Sequence, residues 1–318
     1  MKQRKKNNRE TIGFFFVNWK NGLLLLCSCL CLLTCGCAPE EKDLYLLGVC
    51  QANVSDMEQV ALKEDIMESC KKHENLKDIY ADAGDDAEKQ QRNIDDMIQC
   101  QVDVIVVTKC EDGDITPALA RAKEAEIPVI MIGYPPEDEE LYSARIYTDD
   151  YKVGYLAGEC AAELLDEKGV ILEMQGEPYT LRTQNMKDGF LDAIASCPEM
   201  VKEYVITGYW TSENASEALR ESGILPNLSE VDLIFAHNKD MAIGAKNVLN
   251  RNGVRPFVIG AGAFLEDEED HDRLSSVIAY PTGGAAAVET ALQLFSGEEV
   301  PKMIELEPAV IMEADDED

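Results

Sequence analysis

The chain has 318 residues, 46% of them hydrophobic, with 61 Asp and Glu against 29 Lys and Arg and a net charge of −32. That size and apolar content suit one large domain or two lobes of ordinary size. So strong an acidic excess sets nucleic acid aside as a partner, because phosphate binding needs a basic face.

Lys2, Arg4, Lys5, Lys6, Arg9 and Lys20 precede an apolar run from Leu23 to Leu33, which ends on Thr34-Cys35-Gly36-Cys37. Bases, then an apolar run, then small residues is the order of a bacterial secretion signal. A small residue directly before a cysteine resembles the lipobox at which lipoprotein signal peptidase cuts. It implies a signal over residues 1–36, a diacylated Cys37, and a chain held by its lipid to a bacterial membrane, in the periplasm or at the cell surface. Thr34 stands where that pattern prefers Leu, and an uncleaved anchor helix is the alternative. Residues 37–43 read as a tether. Five of the eleven cysteines lie in this leader and its end. The others, Cys50, Cys70, Cys100, Cys110, Cys160 and Cys197, are widely spaced with no C-x-x-C or nearby His pair, so no metal site is expected. Cys50 and Cys110 end strands expected to lie side by side, which makes theirs the one disulfide pairing to test.

From Leu44 apolar runs alternate with amphipathic segments, the rhythm of β/α repeats on parallel sheets. Leu44 to Val49, Asp78 to Tyr80, Val102 to Val107 and Ile127 to Ile132 read as strands, the third almost wholly β-branched, as a strand covered on both faces should be. Met57 to Lys72, Ala87 to Cys100 and Pro117 to Ala125 read as helices between them, the last with Pro in its first turn. Pro135-Pro136 and an acidic run break the alternation, which then begins again. The second series has strands at Val170 to Met174, Glu203 to Ile206, Leu233 to Ala236, Phe257 to Ile259 and Ser276 to Ala279. Its helices are Tyr151 to Leu165, Leu181 to Ala195, Glu213 to Glu221 and Asp240 to Asn250. Tyr280-Pro-Thr-Gly-Gly284 is a turn signal before the helix Ala285 to Phe295, and residues 313–318 are an acidic tail.

Several segments in this order resemble the ribose/galactose type of periplasmic sugar-binding protein, also called type I solute-binding proteins. They are Tyr80-Ala-Asp-Ala83 with Gln90 and Ile94, Ile127-Pro-Val-Ile130, Asp149-Asp150 with Gly154 and Ala157-Gly158, Met174-Gln-Gly176 leading to Asp188-Gly189-Phe190, Trp210, Ala236 to Ala245, and Tyr280 to Gly284. The resemblance spans roughly Leu44 to Val310. It implies an α/β fold of two doubly wound parallel-sheet lobes joined by a three-stranded hinge, with the ligand in the cleft outside the strands' carboxyl ends. The N-terminal lobe would take residues 44–147 and 281–299, and the C-terminal lobe 148–280 and 300–312.

The resemblance also points to pocket residues. Trp210 aligns with the family's stacking aromatic, with core packing as the alternative. Asn238 matches a ligand-bonding amide, and its alternative is an N-cap. Tyr280 stands at a hydrogen-bonding hinge position or merely packs the lobes. Elsewhere the pattern fails. The family's Asp-Arg after the fourth strand is Gly133-Tyr134, the Asp after Phe257 to Ile259 is Gly262, and the helix-entry Arg is replaced by Gln184 and Met186 with Arg182 nearby. In the first loop, where aromatics are usual, stands Asp56-Met57-Glu58-Gln59. Either the pocket is rebuilt with Gln51, Glu58, Tyr134, Arg182 and Gln184 among its contacts, or the scaffold persists without tight binding. Asp56 and Glu58 favour a neutral or cationic ligand over an anion.

The expected function is capture of a small carbohydrate-like solute for an ABC transporter permease by a monomer that needs no cofactor. The alternative is sensing, with the closed state read by a separate histidine kinase or chemoreceptor. Enzyme signatures such as G-x-S-x-G, the P-loop and H-E-x-x-H are missing, and His73, His237 and His271 lack an evident Ser or Cys partner. Glu266 to Asp272 lacks the alternating ligands of a calcium loop and reads as a solvated loop.

Overall fold

In the computed structural model, which describes residues 44–110, 113–262 and 274–312, the first half of the chain forms strands β1 (Tyr45–Gln51), β2 (Leu76–Asp82), β3 (Val104–Thr108), β4 (Val129–Ile132) and β5 (Ala144–Thr148). The second half forms β6 (Lys168–Gln175), β7 (Glu199–Thr207), β8 (Leu233–Ala236), β9 (Phe257–Gly262) and β10 (Ser276–Ala279), and two short strands follow, β11 (Met303–Leu306) and β12 (Ala309–Met312). They assemble into two six-stranded sheets, ordered β11-β5-β4-β3-β1-β2 and β12-β10-β9-β8-β6-β7. Every pairing is parallel except that of β12 with β10. Each sheet starts in the middle and winds outward both ways, as expected of two doubly wound lobes. Cys37, the tether, the acidic loop and the acidic tail lie outside the described residues.

Helices cover both faces of each sheet. The first lobe has α1 (Met57–Lys71), α2 (Ala87–Gln99) and α3 (Thr116–Glu124); the second has α4 (Asp150–Leu164), α5 (Leu181–Ile194), α6 (Ser212–Glu221) and α7 (Lys239–Asn252); α8 (Gly284–Phe295) returns to the first lobe. Alternation along the strands fills the two sides. In β3, Val104 and Val106 pack towards α1 and α8, and Ile105 and Val107 towards α2 and α3. In β8, Leu233 and Phe235 pack towards α4 and α5, and Ile234 and Ala236 towards α6 and α7. Burying each such large apolar side chain contributes about 1.5–3 kcal/mol, which is why these strands read as unbroken apolar runs.

Helix starts are written locally. Asp56, Asp86, Asp149, Thr180, Thr211 and Asn238 each accept a backbone N–H of the first turn, a contribution of about 1 kcal/mol per cap. The chain passes between the sheets three times: from β5 into α4, from β10 into α8, and from β11 to β12.

Two expectations need correction. The sequence reading gives residues 300–312 as one piece to the second lobe, but β11 pairs in parallel with β5 on the first sheet, and only β12 joins the second. Ile304 and Leu306 fix this, because they pack on the apolar side shared with α8. β5 itself was not expected as a strand: Arg145 and Tyr147 interrupt its apolar pattern, leaving Ala144 and Ile146 as the inward face. Cys50 and Cys110 are free thiols, as are the other four described cysteines. Burial pushes the pKa of the Cys50 thiol up to about 12 and that of Cys110 up to about 11.

Candidate ligand-binding site

The strands' carboxyl ends and the helix starts beyond them converge between the lobes. Glu58 lies in the first turn of α1, just after its cap Asp56. Tyr134 follows β4, where Gly133 turns the chain at φ 84°. Arg145 of β5 fixes that turn: its Nε donates to the Gly133 carbonyl at 2.7 Å, and its guanidinium lies 5.5 Å from the Tyr134 ring centroid. On the other side, α4 brings Asp150 and α5 brings Arg182 and Asn185. These two helix starts are held together by glycines at the crossing. A Cβ on Gly154 would lie 1.9 Å from the Met186 carbonyl oxygen, and one on Gly189 would lie 2.1 Å from that of Tyr151.

Tyr280 comes from the second crossing between lobes. Asp65 of α1 secures that crossing, accepting from the Thr282 hydroxyl and, at 2.9 Å, from the Ala285 N–H. The turn before α6 places Trp210. Tyr209 and Trp210 both have positive φ, 49° and 64°, a conformation that costs non-glycine residues energy and collects at functional sites. Asn238 holds it, donating from Nδ2 to the Trp210 carbonyl at 2.7 Å while its Oδ1 caps α7 at Met241 N–H, 2.9 Å.

Arg182 is the centre of this arrangement. Its Nη2 donates to Glu58 Oε2 at 2.8 Å across the cleft and to the Tyr280 hydroxyl at 2.6 Å in the hinge. Its Nε stands 3.7 Å from Asp150 Oδ1, and its guanidinium carbon lies 4.7 Å from the Trp210 ring centroid. Two more bridges join the lobes. Tyr134 donates to Asp150 Oδ2 at 2.7 Å and accepts from Asn185 at 3.3 Å, and the Met57 N–H donates to Asp240 Oδ2 at 2.9 Å. The lobes are thus drawn together by the protein's own side chains.

The electrostatics are lopsided. Burial raises the pKa of Asp56 to about 6, and it also raises those of Asp150 and Asp240. Burial works against a charged Arg182, but Glu58, Tyr280 and Asp150 outweigh it and hold the guanidinium protonated. Burial likewise lifts Tyr134 and Tyr280, which stay neutral hydrogen-bonding groups. Among the described residues no group of His, Cys, Asp and Glu is disposed to hold a metal ion, and no helix is long and apolar enough to cross a membrane.

Of the eight residues expected in the pocket, Glu58, Tyr134, Arg182, Trp210 and Tyr280 meet around one centre, and Asn238 touches it through the Trp210 carbonyl. Gln51 is turned into the first lobe, bonding Gln59 and the Tyr80 hydroxyl. Gln184 is exposed and reaches Tyr179 O at 3.4 Å. Sequence reasoning misses Asp150 and Asn185 as contacts, although Asp150 stands in a segment that carries the resemblance and Asn185 lies between Gln184 and Met186 on α5. A groove of about 880 Å³ at the opposite end of the second sheet, lined by Lys168, Glu199, Asp232 and Phe257, lies where strands begin. Ligands of open α/β sheets bind at the other end.

Comparison with known proteins agrees with this fold. The family model described as "Periplasmic binding protein domain" matches residues 49–299. The ribose import binding protein of Bacillus subtilis (strain 168) is 25% identical over 300 residues, covering 89% of this chain and 95% of that protein. The arabinose-transporter binding protein of Shewanella sp. ANA-3, bound to L-arabinofuranose, superposes with a TM-score of 0.76 at 20% identity, over 84% of this chain and 91% of that one. The fructose-binding periplasmic domain of a hybrid two-component system superposes with a TM-score of 0.72 at 23% identity, over 84% and 91%.

Proposed function

The chain belongs to the periplasmic binding protein domain family, and on that premise we propose that it captures a small, neutral, carbohydrate-like solute between its lobes and delivers it to an ABC transporter permease. The observation that carries this reading is the ring of Glu58, Tyr134, Asp150, Arg182, Trp210 and Tyr280, in which partners from both lobes and the hinge meet. Polar groups that bridge lobes in this way bracket a polyhydroxylated ligand, and each bond to it adds to closure. The relatives named above bind ribose and arabinose, which supports the ligand class. Arg182 replaces, from another place, the guanidinium that the usual pattern would supply, and it serves as the ligand's donor once a hydroxyl takes the place of Glu58 or Tyr280.

Calorimetric titration with D-ribose, L-arabinose, D-fructose, myo-inositol and xylitol tests the reading. Binding by at least one, with a raised Tm, is expected; no heat and no thermal shift from any would overturn it. The scaffold without a ligand is the reading left in that case. A sensory role draws support from the two-component relative; loss of uptake on deletion of the gene favours transport, and lost induction at normal uptake favours sensing.

We assign the anchor to Cys37, with the protein working as a monomer in the periplasm or at the cell surface. Globomycin is expected to leave an uncleaved, larger form, and a palmitate analogue is expected to label the protein; no size shift and no label would overturn the assignment.

A further inference from the structure

Among the described residues, four buried side-chain atoms lack a hydrogen-bond partner: Glu177 Oε2, Arg182 Nε, Trp210 Nε1 and His237 Nδ1. Buried polar atoms are nearly always paired, so four orphans in one neighbourhood call for an explanation. They are neighbours. Arg182 lies over the Trp210 ring at 4.7 Å, and the Trp210 and His237 rings are 6.4 Å apart. Glu177 follows Gly176, where a Cβ would fall 2.1 Å from the indole. All four belong to the second lobe, at the ends of β6 and β8, at the start of α5 and in the turn before α6.

Their hydrogen-bonding character can be read from what else they touch. His237 is fully buried, and its Nε2 lies 3.0 Å from Glu173 Oε1. The other Glu173 oxygen accepts from Lys202 Nζ at 2.7 Å. A carboxylate only accepts, so His237 donates from Nε2, and in that tautomer Nδ1 is left as an acceptor. Trp210 Nε1 and Arg182 Nε are donors only, and the Glu177 carboxylate is an acceptor. The wall therefore offers two donors and two acceptors.

We propose that Glu177, Arg182, Trp210 and His237 form the hydroxyl-recognising wall of the cleft, and that it takes two adjacent hydroxyls of a polyol or sugar, with Trp210 used through its N–H edge. A hydroxyl both donates and accepts, so a pair of them matches this set. A ligand offering only carbonyls leaves the acceptors unmet, and one offering only ammonium groups leaves the donors unmet. The Trp210 ring meanwhile has Gly176 against it and Arg182 over it, so it is not free to stack on a sugar in this conformation. Glu177 and His237 enter the site as specificity-determining residues.

The inference rests on reading the cleft as a ligand site, and its test separates the two. The chain has two tryptophans, Trp19 and Trp210, so the ¹⁵N-labelled full-length protein gives two indole N–H resonances, and Trp210→Phe identifies one. Glycerol at high concentration serves as a minimal vicinal triol, and 1,3-propanediol as a control without adjacent hydroxyls. Glycerol is expected to move the Trp210 indole proton downfield and propanediol to leave it in place. Any sugar that binds by calorimetry is expected to bind about tenfold more weakly to Trp210→Phe and to Glu177→Leu, the effect of one lost hydrogen bond each. If a sugar binds with heat yet leaves the Trp210 resonance and the Trp210→Phe affinity unchanged, the wall is overturned and capture stands. If glycerol moves the resonance but no sugar binds, the wall stands and capture of those sugars fails. Silence from both overturns both.

Discussion

Arg182 shows how one side chain can govern a site from an unexpected position. Its length lets it reach Glu58 on the opposite lobe, Tyr280 in the hinge and the Trp210 ring at once. Arg182→Met keeps the stem on Trp210 and removes the charged bonds. It is expected to lower the unfolding free energy by about 1.5–3 kcal/mol, the range for hydrogen bonds to charged groups, as read by urea denaturation. Asp56 sets a pH signature. Burial raises its pKa to about 6, so the folded protein holds that proton to higher pH than the unfolded chain does. Its contribution to stability is complete below about 4 and is lost as pH rises through about 6. Asp56→Asn keeps a capping oxygen for α1 but cannot titrate. The variant's stability relative to the parent is expected to rise between pH 4 and 7; an unchanged difference would rule the assignment out. At this scale the sequence was half legible. Glu58, Tyr134, Arg182, Trp210 and Tyr280 could each be named from motif positions and gaps in the family pattern, but not that they bind one another, since Glu58 and Arg182 are 124 residues apart. Gln51 was misplaced because a polar residue at a strand end looks the same whether it faces the cleft or, as here, Gln59 and Tyr80.

The unit that aims Arg182, Asn185 and Asp150 is the pair α4 and α5. Its close approach depends on glycines that the sequence displays openly, Gly154, Gly158 and Gly189. Gly189→Ala would place a methyl 2.1 Å from the Tyr151 carbonyl oxygen, and relief requires the helices to part. An overpacking cost of about 1–3 kcal/mol is expected by denaturation, together with weakened bridges from Arg182 to Glu58 and from Asp150 to Tyr134, visible as faster hydrogen exchange at the first turn of α1. Unchanged stability would show that the helices can slide. The strands β3 and β8 were legible because both their faces are buried, and their apolar runs say so. β5 was not: Arg145 and Tyr147 are spent on the Tyr134 turn and on a ring contact 4.4 Å apart, so its sequence records the site rather than the sheet.

At the level of the molecule, three crossings tie the lobes among the described residues, side-chain bridges such as Arg182 to Glu58, Tyr134 to Asp150 and Lys152 to Glu305 reinforce them, and the sheets are edged by strands that arrive late. β11 completes the first sheet and β12 the second, with only Glu307 and Pro308 between them. The two-lobed plan was legible from the repeated alternation, whereas the division of residues 300–312 between lobes was not, because edge pairing is set by which sheet offers an open neighbour. Deleting residues 303–318 removes an edge from each sheet at once. Both lobes are expected to lose protection together in hydrogen exchange; loss confined to one lobe would contradict the pairing.

The late arrival of those strands bears on the order in which the protein can be made. The first lobe needs α8 and β11, which follow the whole second-lobe sheet except β12, so the first sheet is completed only after β6 to β10 have been made. The same ten residues, 303–312, close both sheets, so the two lobes are finished by one stretch of chain rather than one after the other.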